Sequence, residues 1–192
     1  NKKVHIVEEV KAKGGTSSDA EYLWGMQSIN VQNAWKYTKG KGVLVAVSDT
    51  GIQFSHRELS PNIWHNPGET GLDANGKDKS KNKVDDDGNG YIDDQFGWDY
   101  VSNRRAILDN HYHGTHVAGT IAGIDGNGHI VGAAPEAKIM ASTFLNSEGS
   151  GTELNGAKTI IYAADQGAKV INCSWGANGS SQLITDAILY AQ

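Results

Sequence analysis

Residues 42–49 read Gly-Val-Leu-Val-Ala-Val-Ser-Asp, a near-continuous apolar run that ends in an aspartate and a Thr50-Gly51 turn. A strand with one wet face alternates apolar and polar residues, whereas one that is apolar along its length is covered on both faces. The run therefore predicts a buried strand in a parallel sheet with helices on either side.

The rest of the chain supplies such helices and further strands. Tyr22–Trp35 suits short helical turns, and a helical pattern runs from His113 to Gly123 with Val117, Ile121 and Ile124 near one face. Ala137–Ala141 reads as a strand and Gly149–Gly151 as a glycine turn. Thr152–Gln166 predicts an amphipathic helix, with Leu154, Ala157, Ile161 and Ala164 at helical spacing and Gly167 as its stop. Lys169–Ser174 is a further strand and Ser181–Gln192 a last helix. Alternating strands and helices indicate an α/β fold, a mainly parallel sheet flanked by helices. The 192 residues, 38% hydrophobic and 20% charged, suit one domain with a substantial core. Residues 66–95 are polar and show neither period, and a loop of that length is usually functional or disordered.

Several function classes drop out. The net charge is -5 and no basic run exceeds Lys2-Lys3 or Arg104-Arg105, so nothing favours nucleic acid. No apolar stretch approaches the roughly 20 residues that span a bilayer, so no membrane partner is expected, and no secretory signal opens the chain. Cys173 stands alone, which rules out an internal disulfide.

Two segments carry chemistry. Asp49 closes the buried strand, at the carboxyl end where open α/β sheets gather ligands and catalytic groups, although a turn or capping aspartate is an equal reading of the residue alone. Residues 110–120 hold His111, His113 and His116 within six positions. Zinc hydrolases place two histidines at i and i+4 around a glutamate. Here the helical pair is i and i+3, with Gly114 and Thr115 between, so a metal is the weaker reading. A histidine at a helix N-terminus tends to stay neutral and able to accept a proton, which suits His113 as a base.

Together these segments resemble the subtilisin-like serine protease family. The matching stretches are Val-Ala-Val-Ser-Asp-Thr-Gly-Ile (45–52), His-Gly-Thr-His-Val-Ala-Gly-Thr-Ile-Ala-Gly (113–123), Gly-Ala-Ala-Pro-Glu-Ala (132–137) and Val-Ile-Asn-Cys-Ser-Trp-Gly (170–176), in the family's order. The resemblance covers roughly Tyr22 to Gln192. It implies that Asp49 orients His113, that His113 is the base, and that His116 is a scaffold residue beneath it. It implies a polypeptide substrate held between Gly149-Ser150-Gly151 and Ser174-Trp175-Gly176 by β-augmentation. Trp175 stands where the family often has leucine, and no cleavage preference follows. Residues 1–20 are read as an N-terminal extension, a propeptide remnant and linker, ahead of a peptidase domain over 21–192. The resemblance also implies a secreted enzyme.

Two parts of the family's machinery are missing. The nucleophile block Gly-Thr-Ser-Met-Ala-x-Pro does not occur; Gly15-Thr16-Ser17 precedes Asp49 and lacks the remainder. The oxyanion-hole asparagine is absent too. The expectation is the front part of a catalytic domain that stops before its nucleophile segment. Such a chain is inactive alone and partnered by the C-terminal remainder of the same domain. The alternative is a non-catalytic calcium-binding or scaffolding module.

Asp85–Asp93 follows the first nine positions of an EF-hand calcium loop. Asp85, Asp87 and Asn89 stand at positions 1, 3 and 5, Tyr91 at the carbonyl position and Asp93 at position 9. Phe96 replaces the bidentate glutamate, so Asp94 is the candidate to complete a Ca2+ shell. Glu58, with the loop 124–130, resembles a second calcium position of the family, although the usual asparagine falls on Gly126.

Overall fold

The structure, a computed structural model, describes residues 2–6, 23–106, 108–126 and 130–192. Its centre is β2 (Leu44–Asp49), hydrogen-bonded in parallel to β5 (Lys138–Thr143) on one side and to β7 (Val170–Asn172) on the other. Beyond β5 lie the parallel β3 (Gly97–Asp99) and the antiparallel β4 (Arg104–Arg105), which gives the order β4-β3-β5-β2-β7. Two short helices, α1 (Trp24–Ser28) and α2 (Val31–Trp35), precede β2.

The two faces of β2 explain its unbroken apolar run. Val45 and Val47 pack with Val117, Ala118 and Ala122 of α3 (His113–Ala122). Ala46 faces the other way, into a cluster with Met140, Phe144, Tyr162 and Ala163, the last two on α4 (Glu153–Asp165). Each face has a helical cover, so a polar residue on either would be desolvated.

The α4 helix begins where expected, with the Thr152 hydroxyl accepting the Asn155 N–H at 3.2 Å. Its buried stripe differs from the predicted one. Gly156, Ala157, Thr159, Ile160, Tyr162 and Ala163 are buried, while Leu154 and Ile161 remain 44% and 37% exposed. The helix lies between the sheet and α5 (Gln182–Ala191), where Ala157 and Ile160 meet Ala187. Two flanking contacts select small residues that periodicity in the large apolar ones does not reveal. The strand predicted from Ala137 starts at Lys138 and continues to Thr143, and α3 ends at Ala122, before Ile124. β7 is one of the two edges of the sheet, with Val170 exposed on it and Leu183, Ile188 and Leu189 of α5 exposed nearby.

A second sheet has three short strands. β1 (Lys3–Ile6) lies between β6 (Ser150–Thr152) and β8 (Trp175–Gly176), antiparallel to both. Val4 is paired with Gly151 and is 1% exposed.

Candidate active site and acidic loop

The last residue of β2 and the first of α3 meet. His113 Nδ1 lies 2.8 and 2.9 Å from the two carboxylate oxygens of Asp49, and both side chains are buried. Asp49 Oδ1 also accepts the Thr50 N–H at 2.7 Å. The approach depends on Gly114, because a Cβ there would run into the Gly51 carbonyl. Burial raises the Asp49 carboxyl above its ordinary range, opposed by the hydrogen bond from His113 and the Thr50 N–H. Asp49 takes Nδ1, and among the described residues none is hydrogen-bonded to Nε2. The ring can therefore accept a proton at Nε2 while Asp49 fixes its tautomer.

The other two histidines of the cluster lie on either side of His113 in the chain. The His111 ring stacks on Tyr112 at 4.5 Å and meets His113 edge-on at 6.3 Å. His116, expected beneath His113, lies instead on the exposed side of α3. Three residues is a little under one helical turn, and the core-facing positions are Val117 and Ala118. Cys173 is exposed just past the end of β7, and partial desolvation by its neighbours, then the Asp49 charge, raise its thiol above the ordinary range.

The segments expected to hold substrate line both sides of β1. Gly149 forms the turn before β6 with φ 67°, and Ser150 and Gly151 lie in β6. Opposite, Trp175 and Gly176 form β8, and the Ser174 hydroxyl accepts from the Asn172 amide at 2.9 Å. Trp175 stands edge-on to Phe144 at 5.0 Å and points its ring N–H at the Ser48 hydroxyl, 3.3 Å away.

In the acidic loop, one oxygen each from Glu69, Asp87 and Asp94 lie within 4.8 Å of one another. Asn66 donates to Asp87 and Asp94 at 2.9 and 2.7 Å, Asn89 donates to the same two at 3.2 and 3.0 Å, and Tyr162 donates to Asp94 at 2.6 Å. Glu69 is fully buried. Its Oε1 accepts the Asp86 N–H at 2.6 Å, but its Oε2 has no hydrogen-bond partner. Burial first, then the charges of Asp94, Asp87 and Asp86, push its carboxyl up to about 7 against the Asp86 N–H. Burial also raises Asp94, against its three donors. Gly68 brings the two halves of the loop together, since a Cβ there would overlap the Asp87 side chain.

The remaining loop residues are engaged elsewhere. Burial raises the Asp85 carboxyl, but the N–H groups of Gly90, Gly88 and Asn89 outweigh it and leave it below the ordinary range. Asp93 accepts the Lys83 N–H at 3.0 Å, and the Tyr91 ring packs against Trp98, Tyr100 and Tyr162. Glu58, also buried, lies 3.1 Å from Arg57 Nε, and residues 127–129 of its companion loop lie outside the described residues. Sequence reasoning missed Glu69, which stands sixteen residues before Asp85 in a segment without periodicity. Its only signal was to be the one glutamate in the same polar loop.

Comparison with known proteins places this geometry in context. The sequence model described as "Subtilase family" (Peptidase_S8) matches residues 40–191. Thermitase of Thermoactinomyces vulgaris is 34% identical over 169 residues, covering 88% of this chain and 50% of thermitase. The major intracellular serine protease of Bacillus subtilis is 36% identical over 85% of this chain and 44% of its own length. The crystal structure of fervidolysin from Fervidobacterium pennivorans, described as a keratinolytic enzyme related to subtilisin, superposes with a TM-score of 0.66. Its identity is 27%, covering 98% of this chain and 27% of that one. The chain thus spans half or less of the length of each of these proteins.

Proposed function

The chain belongs to the subtilase family, and on that premise we propose that it carries the orienting acid and the base of a serine endopeptidase. The observation that carries this reading is the buried Asp49–His113 pair, bonded at 2.8 and 2.9 Å where β2 ends and α3 begins. His113 Nε2 takes the proton of a serine hydroxyl as it attacks a peptide carbonyl, then returns it to the leaving amine. Asp49 holds the tautomer and stabilises the imidazolium between those steps. The serine and the oxyanion-hole asparagine come from a segment outside residues 1–192, the C-terminal remainder of the same catalytic domain. Neither the nucleophile block nor that asparagine occurs in residues 1–192.

The substrate is an extended polypeptide bound between β6 and β8, and residues 1–20 are an N-terminal extension, a propeptide remnant and linker, whose β1 (Lys3–Ile6) lies where that substrate would bind. β1 supports this assignment, because its backbone pairs with both edges and its Val4 side chain is buried. Secretion is part of the same reading, and comparing hydrolysis in culture medium and cell lysate checks it.

Calcium is the proposed structural ion of the acidic loop. The orphaned, buried Glu69 Oε2 beside Asp87 and Asp94 fits a hard cation with oxygen ligands. Glu69, Asp87 and Asp94 would hold it, with Asp85, Asn89, Tyr91 and Asp93 shaping the loop around them; a cation there offsets their mutual repulsion. Glu58 belongs to the second calcium position of this reading.

The decisive experiment treats the full-length protein with a serine-directed fluorophosphonate and a peptide substrate. We expect peptide hydrolysis and covalent labelling of a serine outside residues 1–192. A folded full-length protein that does neither would instead be a non-catalytic module.

A further inference from the structure

Asp109 lies between β4 and α3 in the chain, at the seam between the elements that carry Asp49 and His113. Its Oδ1 accepts the Thr50 hydroxyl at 3.0 Å and the His111 N–H at 2.9 Å. Its Oδ2 accepts the Thr115 N–H at 3.0 Å and the Thr115 hydroxyl at 2.6 Å, and the Tyr112 N–H also bonds to the carboxylate. Thr50 in turn accepts the Gly114 N–H at 2.9 Å. One half-buried carboxylate thus ties the residue after Asp49 to the residues on both sides of His113.

The local backbone needs such a tie. Tyr112, the N-cap of α3, has φ 95° and provides no side-chain cap. Non-glycine residues hold such a conformation only where their surroundings over-determine it. The first N–H groups of α3 have no partner within the helix. Asp109 and Thr50 take those of Thr115 and Gly114. A carboxylate here also offsets the positive end of the helix, which otherwise opposes an imidazolium at His113.

We propose that Asp109 is a positioning residue. It sets α3 against the end of β2, so that His113 Nδ1 stays on the Asp49 carboxylate, and it shields the imidazolium from the helix end during turnover. Its donors keep its carboxyl below the ordinary range even though burial works the other way, so the charge is present at neutral pH. The proposal rests on the reading of Asp49 and His113 as an acid–base pair.

The test compares the full-length protein with Asp109→Ala and Asp109→Asn. The asparagine keeps the size and one acceptor oxygen, so a folded variant exists even where alanine fails to fold. Two quantities are read: kcat and KM on a peptide substrate, and the proton NMR signal of His113 Nδ1. In Asp109→Ala we expect kcat to fall by about 10²-fold, the order that a misplacement of about 1 Å costs, with KM unchanged. Asp109→Asn loses less, and in both variants the Nδ1 signal broadens through faster exchange with water. Thr50→Val, which removes the hydroxyl linking Asp109 to Gly114, gives the same split between kcat and KM. The double variant of Thr50→Val with Asp109→Ala is no worse than Asp109→Ala alone, because both act through one network. Wild-type kcat and Nδ1 signal in a folded variant overturn the proposal. So does a loss of activity that merely follows the unfolded fraction. A wild-type protein without peptide hydrolysis fails the protease reading instead, and the Nδ1 signal still reports on Asp109.

Discussion

Asp109 and Glu69 are both carboxylates withdrawn from water, and the protein treats them in opposite ways. Asp109 has hydrogen-bond donors at both oxygens, and its carboxyl sits below the ordinary range. Glu69 has one N–H at one oxygen, nothing at the other, and two more carboxylates beside it; its carboxyl is pushed up to about 7. A buried charge needs compensation. At the Asp49–His113 seam the protein's own N–H and O–H groups provide it, so the Asp109 carboxylate is compensated as folded. The acidic loop leaves one oxygen without a partner, and its compensation comes from a cation or a proton.

The sharpest test of the seam is His113→Ala in the full-length protein. Peptide hydrolysis should fall by about 10⁶-fold, the magnitude established for the subtilisin triad, as measured by initial rates. Asp49→Asn should cost about 10⁴-fold, because an amide favours the wrong imidazole tautomer. Neither substitution should alter the response of thermal unfolding to chelators, if seam and loop are independent.

The loop should show the reverse pattern. Chelation should lower the melting temperature measured by calorimetry. A cation at about 100 times its Kd contributes about 2.7 kcal/mol to stability. Glu69→Gln should weaken calcium binding in isothermal titration while raising the stability of the ion-free protein, since it removes a buried, repelled charge. A melting temperature indifferent to chelator would erase the contrast between the two regions.

The last effect is one of pH. Glu69 has a folded value of about 7 against an ordinary 4.5. Without a cation, its contribution to stability is therefore full below about 4.5 and is lost as the pH rises through about 7. Calcium needs the carboxylate, so its affinity should rise through the same window, and proton release should accompany binding near neutral pH. Melting curves with and without calcium between these limits should converge as the pH falls.

Legibility in the sequence differed between the two regions for a physical reason. Asp49 and His113 stand at element ends, where an apolar run or a helical pattern stops, so local signals mark both. The calcium-like spacing over Asp85–Asp93 was visible too, because an EF-hand loop is a contiguous template. The group that converges takes only Asp87 and Asp94 from that neighbourhood and draws Glu69 from upstream, across a turn with no period. Asp109 carries no local signal because its partners come from the turn after β2 (Thr50), the loop before α3 (His111, Tyr112) and α3 itself (Thr115). The α4 stripe departs from the spacing of Leu154 and Ile161 because contacts on two sides bury Gly156, Ala157, Thr159 and Ala163 together with Ile160 and Tyr162.

Residues 42–49 by themselves determined a strand covered on both faces, and with the alternating elements the α/β architecture around it. Patterning can do this because burial of a strand or helix face leaves a local, periodic mark. Only the tertiary structure decided which carboxylates meet a donor and which meet each other. It also placed β1 in the groove between β6 and β8. Those outcomes depend on oxygen positions that lie tens of residues apart in the chain but within hydrogen-bonding or ligand distance in space, and no local pattern encodes them.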